Sequence, residues 1–142
     1  MIPFDSRRVT VYHFHMRSAA IVLLLLLFAV PSWAVTNITS LPFTCSTAGE
    51  TYIVSSNLTL NSGDAITVTA DNVVINGNGK TVTYAVTGQG YGILINISVT
   101  SIEIYNLTLT QGGYDPAAGE RVHGIYRNGN SSGVKIHDNT IS

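Results

Sequence analysis

The stretch DAITVTADNVVINGNGKTVT, residues 64–83, is followed by two segments built to the same plan: YGILINISVTSIEIYNLTLT, residues 91–110, and HGIYRNGNSSGVKIHDNTIS, residues 123–142. Ile66, Ile93 and Ile125 hold the third place of each block. Thr81, Thr108 and Thr140 recur near its end, followed at once by Val82, Leu109 and Ile141. A slip of two residues in the first block brings Val73 and Ile75 onto Ile102 and Ile104, and onto Val134 and Ile136. That slip places the two surplus residues in NGNGK, residues 76–80. A repeat of this kind governs the fold, because each unit can bury its apolar face only against its neighbours.

Within each block apolar and polar residues alternate over short runs: Ile66 and Val68, Ile102 and Ile104, Leu107 and Leu109, Val134 and Ile136. Such brief alternation, rich in β-branched residues, predicts strands with one face inward. Gly, Asn, Asp and Ser turns separate the runs and are too short for helical crossovers. No stretch after residue 34 carries a sustained helical period. About thirty residues that make three short strands without a helix form one coil of a solenoid. Stacked coils pair each strand in parallel with its copy, about 4.8 Å apart, and enclose a column of Ile, Val and Leu.

The same alignment carries finer expectations. Glu103 and Lys135 fall at equivalent outward places, which predicts a cross-coil ion pair, worth about 0–1 kcal/mol when exposed. Arg127 aligns with Val68 and Ile95 at an inward place, so either the strand stops there, at NGN, or the arginine turns out to solvent. Asn78 and Asn139 align with Leu107 at an inward corner, where an amide can satisfy turn backbone groups. His137 and Asp138 sit at the corner of the last block and read as a turn rather than an acid/base pair.

ITVTADNVVINGNGKTV, IEIYNLTLT and VKIHDNTIS resemble the right-handed parallel β-helix repeats of the pectate-lyase-like (pectin lyase fold) superfamily, from about Leu41 onward. The fold this implies is all-β, a right-handed single-stranded parallel β-helix (solenoid) of about three coils, preceded by an N-terminal signal helix. LPFTCSTAGETYIVSSNLTL, residues 41–60, resembles the turn that such helices place before their first full coil, a cap that any solenoid requires. The expected organisation is a signal peptide over 1–34, a lead-in and cap over 35–63, and coils over 64–142. The chain closes on strand and turn with nothing to cover them, which leaves a backbone edge open. The expectation is therefore the N-terminal part of a longer protein or a truncated gene model. The alternative is a complete small solenoid that associates end to end with itself.

At the other end Arg7, Arg8 and Arg17 precede AAIVLLLLLFAV, residues 19–30, and PSWA then supplies small residues at Ser32 and Ala34. Charge, apolar run and small-residue site in that order predict a secretory signal cleaved after Ala34. The run is short of the roughly 20 apolar residues of a membrane span, so no membrane association is expected after cleavage; an uncleaved N-terminal anchor is the competing reading. Met16 followed by Arg17 would make a more compact leader. Beyond Ala34 four basic residues, Lys80, Arg121, Arg127 and Lys135, face seven acidic ones. The resulting charge near −3 gives no nucleic-acid footprint. Cys45 is the only cysteine. It has no intramolecular partner here, although an exported chain could pair it with a cysteine further on; a buried small hydrophobe is the plainer role. Sequons at Asn37, Asn57, Asn96, Asn106 and Asn130 permit N-glycosylation in a eukaryotic or archaeal secretory route.

Chemistry is best sought where the blocks differ. Their starts lie 27 and then 32 residues apart, the difference falling between the loops 84–90 and 111–122. Solenoids gather insertions on one face, often the binding face. The longer loop holds Tyr114, Asp115, Glu120 and Arg121 and leads into His123. In the superfamily that the repeats resemble, outer-face carboxylates hold calcium and a basic residue abstracts a proton. By that resemblance Asp115 and Glu120 offer calcium oxygens, Arg121 a partner for a uronate, and Tyr114 a sugar platform. Loops are also polar for solvation alone, and His123 aligns with Asp64 and Tyr91 as a corner residue. The NTD, paired DD, GHG and RIK motifs of polygalacturonase-type helices do not occur; VHG and VKIH come nearest. No P-loop, HExxH or serine elbow is present, so no catalytic residue or cofactor is identifiable. The leading expectation is a secreted, periplasmic or cell-surface protein that binds or processes polysaccharide. The alternatives are a non-catalytic adhesion module and a periplasmic factor assisting metalloenzyme maturation.

Overall fold

The computed structural model describes residues 34–142; the expected signal segment, residues 1–33 of it, lies outside the described residues. The ordered elements of the described residues are all strands: β1 (Val35–Ile38), β2 (Phe43–Cys45), β3 (Thr51–Val54), β4 (Leu58–Thr59), β5 (Ile66–Val68), β6 (Val74–Tyr84), β7 (Gly90–Ile95), β8 (Glu103–Gln111), β9 (Val122–Arg127), β10 (Lys135–His137) and β11 (Thr140–Ile141). Among them no helix is long and apolar enough to cross a membrane.

Every ladder is parallel, and the chain passes back and forth between two sheets, with the consecutive pairs β3, β4 and β10, β11 both falling in the larger one. One sheet runs β1-β3-β6-β8-β10, with β4 also on β6 and β11 also on β8; the other runs β2-β5-β7-β9. The chain thus returns to each sheet one place further along, a solenoid-like arrangement in which like positions lie side by side. Ile66 pairs with Ile93 and Ile93 with Ile125; Ile75 pairs with Ile104, and Ile104 with Ile136. The residues that alternate inward, Val54, Ile66, Val68, Ile75, Val82, Ile93, Ile95, Ile104 and Leu109, are fully buried. Each such side chain contributes roughly 1.5–3 kcal/mol relative to exposure, which offsets the entropy lost in ordering so many short strands.

The two surplus residues of the first block sit where the alignment puts them. The β6–β8 register holds to Asn76↔Tyr105 and resumes at Lys80↔Leu107, two residues offset. Within the bulge Asn76 Oδ1 accepts from the Asn78 N–H at 2.8 Å, and Asn78 adopts a left-handed φ of 52°. A Cβ on Gly77 would come within 2.3 Å of the Leu107 Cα, so only glycine lets the bulge lie against the next coil. Asn78 itself is exposed and Lys80 takes the place opposite Leu107, which corrects the inward-corner expectation for Asn78. Asn139 meets it: its Oδ1 accepts from the Leu107 N–H at 3.0 Å and its Nδ2 donates to the carbonyls of Ile104 and His137.

Residues 35–63 carry β1 to β4 and pair directly onto the following strands. Here the Thr36 hydroxyl donates to the Glu50 carboxylate, and the Thr47 N–H donates to Tyr52 Oη. Cys45 is fully buried; burial, with the Glu50 charge behind it, pushes its thiol up to about 12.

Candidate functional site

The richest outward cluster stands on the smaller sheet. Gly92 and Gly124 both face the inner side, since a Cβ on Gly92 would lie 3.1 Å from the buried Leu109 Cδ2 and one on Gly124 2.6 Å from Cγ2 of the half-exposed Ile141. With Ile93 and Ile125 also inward, each strand sets two successive residues inside and leaves the residues on either side of that pair facing out. Tyr91 and His123 share a register position, and their rings stack at 5.8 Å with 2° between planes. Tyr126 lies over Tyr91 at 4.6 Å and beside His123 at 5.7 Å. Three half-buried or exposed rings therefore form one aromatic surface.

Polar groups frame it. Arg121 Nη1 donates to Tyr126 Oη at 3.2 Å, and Asp64 Oδ1 accepts from the Tyr91 N–H at 3.2 Å. Asp64, Gln89, Tyr91 and Arg121, with Gly63 and Gly90, line an open depression of ≈ 400 Å³. A guanidinium, a carboxylate, an amide and phenol hydroxyls thus surround ring surface. That combination can hold a ligand with both hydroxyls and apolar C–H faces.

Of the five residues singled out in the sequence, Arg121 and His123 belong to this cluster. Tyr114 and Glu120 instead bond to each other: the Tyr114 hydroxyl donates to Glu120 Oε2, which also accepts from the Ala117 N–H at 2.9 Å. The bond raises the Tyr114 phenol and lowers Glu120. Tyr114 is half-buried against the core, with its N–H donating to the Ala85 carbonyl at 3.1 Å; it anchors the loop. Asp115 is exposed. Calcium takes about 6–8 convergent oxygens. The Glu120 oxygen turned to the loop is already engaged, and among the described residues no group of three or more His, Cys, Asp or Glu side chains forms a metal-ligand set. The loop does not fit the calcium that the sequence resemblance implies. Tyr91, Tyr126, Asp64 and Gln89 join the cluster without being among those five. The alignment of Tyr91 with His123 is the sequence signal for the first, whereas Tyr126 sits three places beyond His123, where strict alternation would turn it inward.

A second polar group closes the larger sheet. Glu103 and Lys135 are register partners as aligned, but the Glu103 carboxylate meets His137 Nε2 at 3.2 Å, in place of the expected pair with Lys135. His137 Nδ1 lies 2.8 Å from Asp138 Oδ2, and its ring stacks on Tyr105 at 5.4 Å. Asp138 turns the corner with φ 54°. Arg127 ends β9 and leaves the column for solvent, its Nη1 donating to the Ser131 carbonyl at 3.0 Å.

Comparisons with protein-family models, with curated proteins and with solved structures return no match to this chain.

Proposed function

We propose that the chain is an exported, right-handed parallel β-helix of the pectate-lyase-like kind, of about three coils, whose task is to bind polysaccharide through the Tyr91–Tyr126–His123 surface. The observation that carries this reading is the aromatic cluster itself, framed by Arg121, Asp64 and Gln89. A pyranose presents C–H groups on one face and hydroxyls around its rim. Rings answer the first and the charged and amide groups the second, the pairing that makes amphipathic aromatics effective at wetted contacts. Handedness follows the strong preference of parallel strand connections for the right-handed sense. Secretion or display at the cell surface follows from the leader and places the module where polysaccharide is met.

The test is calorimetric titration of the purified chain with a panel of acidic and neutral oligosaccharides, alongside Tyr91→Ala and Tyr126→Ala. The expected result is binding to at least one glycan, weakened about tenfold or more by either substitution, with far-UV circular dichroism unchanged. No binding across the panel removes the reading. Binding that ignores both substitutions removes the assigned surface.

A further inference from the structure

The outer side of the larger sheet carries hydroxyl residues that neither the core nor the aromatic surface uses. Thr59 pairs with Thr83, Thr81 with Thr108, and Thr108 with Thr140; Thr83 pairs with Thr110. Ser142 Oγ donates to Thr110 Oγ1 at 3.4 Å, extending the series by one strand. Between the threonines of each strand Val82 and Leu109 are fully buried, so strand alternation turns the threonines outward. All seven positions are half-buried or exposed.

The hydroxyls thus fall into two rows, Thr81, Thr108, Thr140 and Thr59, Thr83, Thr110, Ser142. Neighbours within a row are about 4.8 Å apart, and the rows are about 6.6 Å apart, two residues of rise. No charged or aromatic residue stands in either row.

An array that repeats in two directions gains nothing from a small solute, and a single glycan chain repeats in one direction only. It is matched by a ligand that is itself two-dimensionally periodic, the face of a crystal. Ionic minerals need carboxylates or ammonium groups, and crystalline polysaccharide surfaces call for flat rings; the rows offer neither. Each threonine supplies a hydroxyl that both donates and accepts beside a methyl that water surrounds without bonding. Repeated on a lattice of several ångströms, that pair orders a water layer. We propose that these two rows form an ice-binding face, on which ordered water joins the growing lattice.

The test uses the full chain, with ice as the probe: recrystallisation of a polycrystalline film and thermal hysteresis of a seeded drop. The unsubstituted protein is expected to halt coarsening of the grains and to separate the freezing from the melting point. Thr108→Lys, at the centre of the array, and Thr140→Lys, at its exposed margin, are expected to lose both effects while keeping the parent circular dichroism and any glycan binding. Thr44→Lys, exposed on the other sheet, is expected to retain them. Grains that coarsen at the buffer rate with the unsubstituted protein overturn the proposal. So does full ice activity in either row variant, or its loss in Thr44→Lys with circular dichroism unchanged. Because the rows lie apart from the aromatic surface in the ladder register, the outcome is independent of the glycan titration.

Discussion

Glu103 stands opposite Lys135 in the ladder yet gives its carboxylate to His137, two residues further along the neighbouring strand, at 3.2 Å. The imidazole faces Asp138 with its other nitrogen. A neutral ring has one N–H and one bare nitrogen, so only the imidazolium can donate to both carboxylates. Asp138 first and Glu103 second hold the His137 pKa above its ordinary value.

The sign of the resulting pH dependence follows. A raised folded-state pKa contributes stability that is complete below the ordinary histidine value of about 6.5 and is lost as pH rises through the folded value. Amide exchange at Lys135, whose N–H bonds to the Ile102 carbonyl, is expected to accelerate above that range beyond its intrinsic rate. In an NMR titration Asp138→Asn should lower the His137 midpoint more than Glu103→Gln does. The reverse order would contradict the geometry.

Glu50 works in the opposite sense. The Thr36 hydroxyl holds its carboxyl below the usual carboxylate range, against the opposing effect of burial. A depressed folded-state pKa contributes stability present above the unfolded value, about 4.3, and lost as pH falls through the folded value. In urea unfolding, Glu50→Gln is expected to lower the midpoint at neutral pH, and its deficit against the parent should shrink as the solution is acidified. A deficit that grows in acid would exclude this account.

The central aliphatic column sets the overall stability. Ile93 is fully buried between Ile66 and Ile125, so Ile93→Ala is expected to cost about 2–5 kcal/mol in denaturant unfolding. Ile97, 60% exposed, should change stability by less than about 0.5 kcal/mol when replaced by alanine.

Cys45 is buried, with its thiol pushed up to about 12. Thiolate is the reactive form, so the native protein is expected to resist a thiol-specific reagent at pH 8 and to react stoichiometrically once unfolded in guanidinium. Rapid labelling of the native state would place Cys45 elsewhere.

What the sequence made legible was whatever parallel stacking repeats. Ile66, Ile93 and Ile125 align because in-register ladders put the same residue type at the same place, and even the two-residue bulge at 76–80 shows as a slip. Pairing of side chains was less legible. Glu103 had two cations within reach of its face, and alignment ranks only the direct neighbour, whereas the stack of His137 on Tyr105 brought the diagonal one closer. The loop was least legible, because nothing in Tyr114 or Glu120 alone declares that they bond to one another. The aromatic surface depends on two successive inward residues, Gly92 with Ile93 and Gly124 with Ile125, which strict alternation does not anticipate.

The bulge between Asn76 and Lys80 absorbs its extra length inside one corner and hands the strand back to its partner unaltered. An architecture with this property tolerates insertions and deletions at its corners without disturbing what lies before or after. Lineages carrying it can therefore vary corner length freely, and can duplicate or discard whole windings, while every retained winding still fits its neighbours.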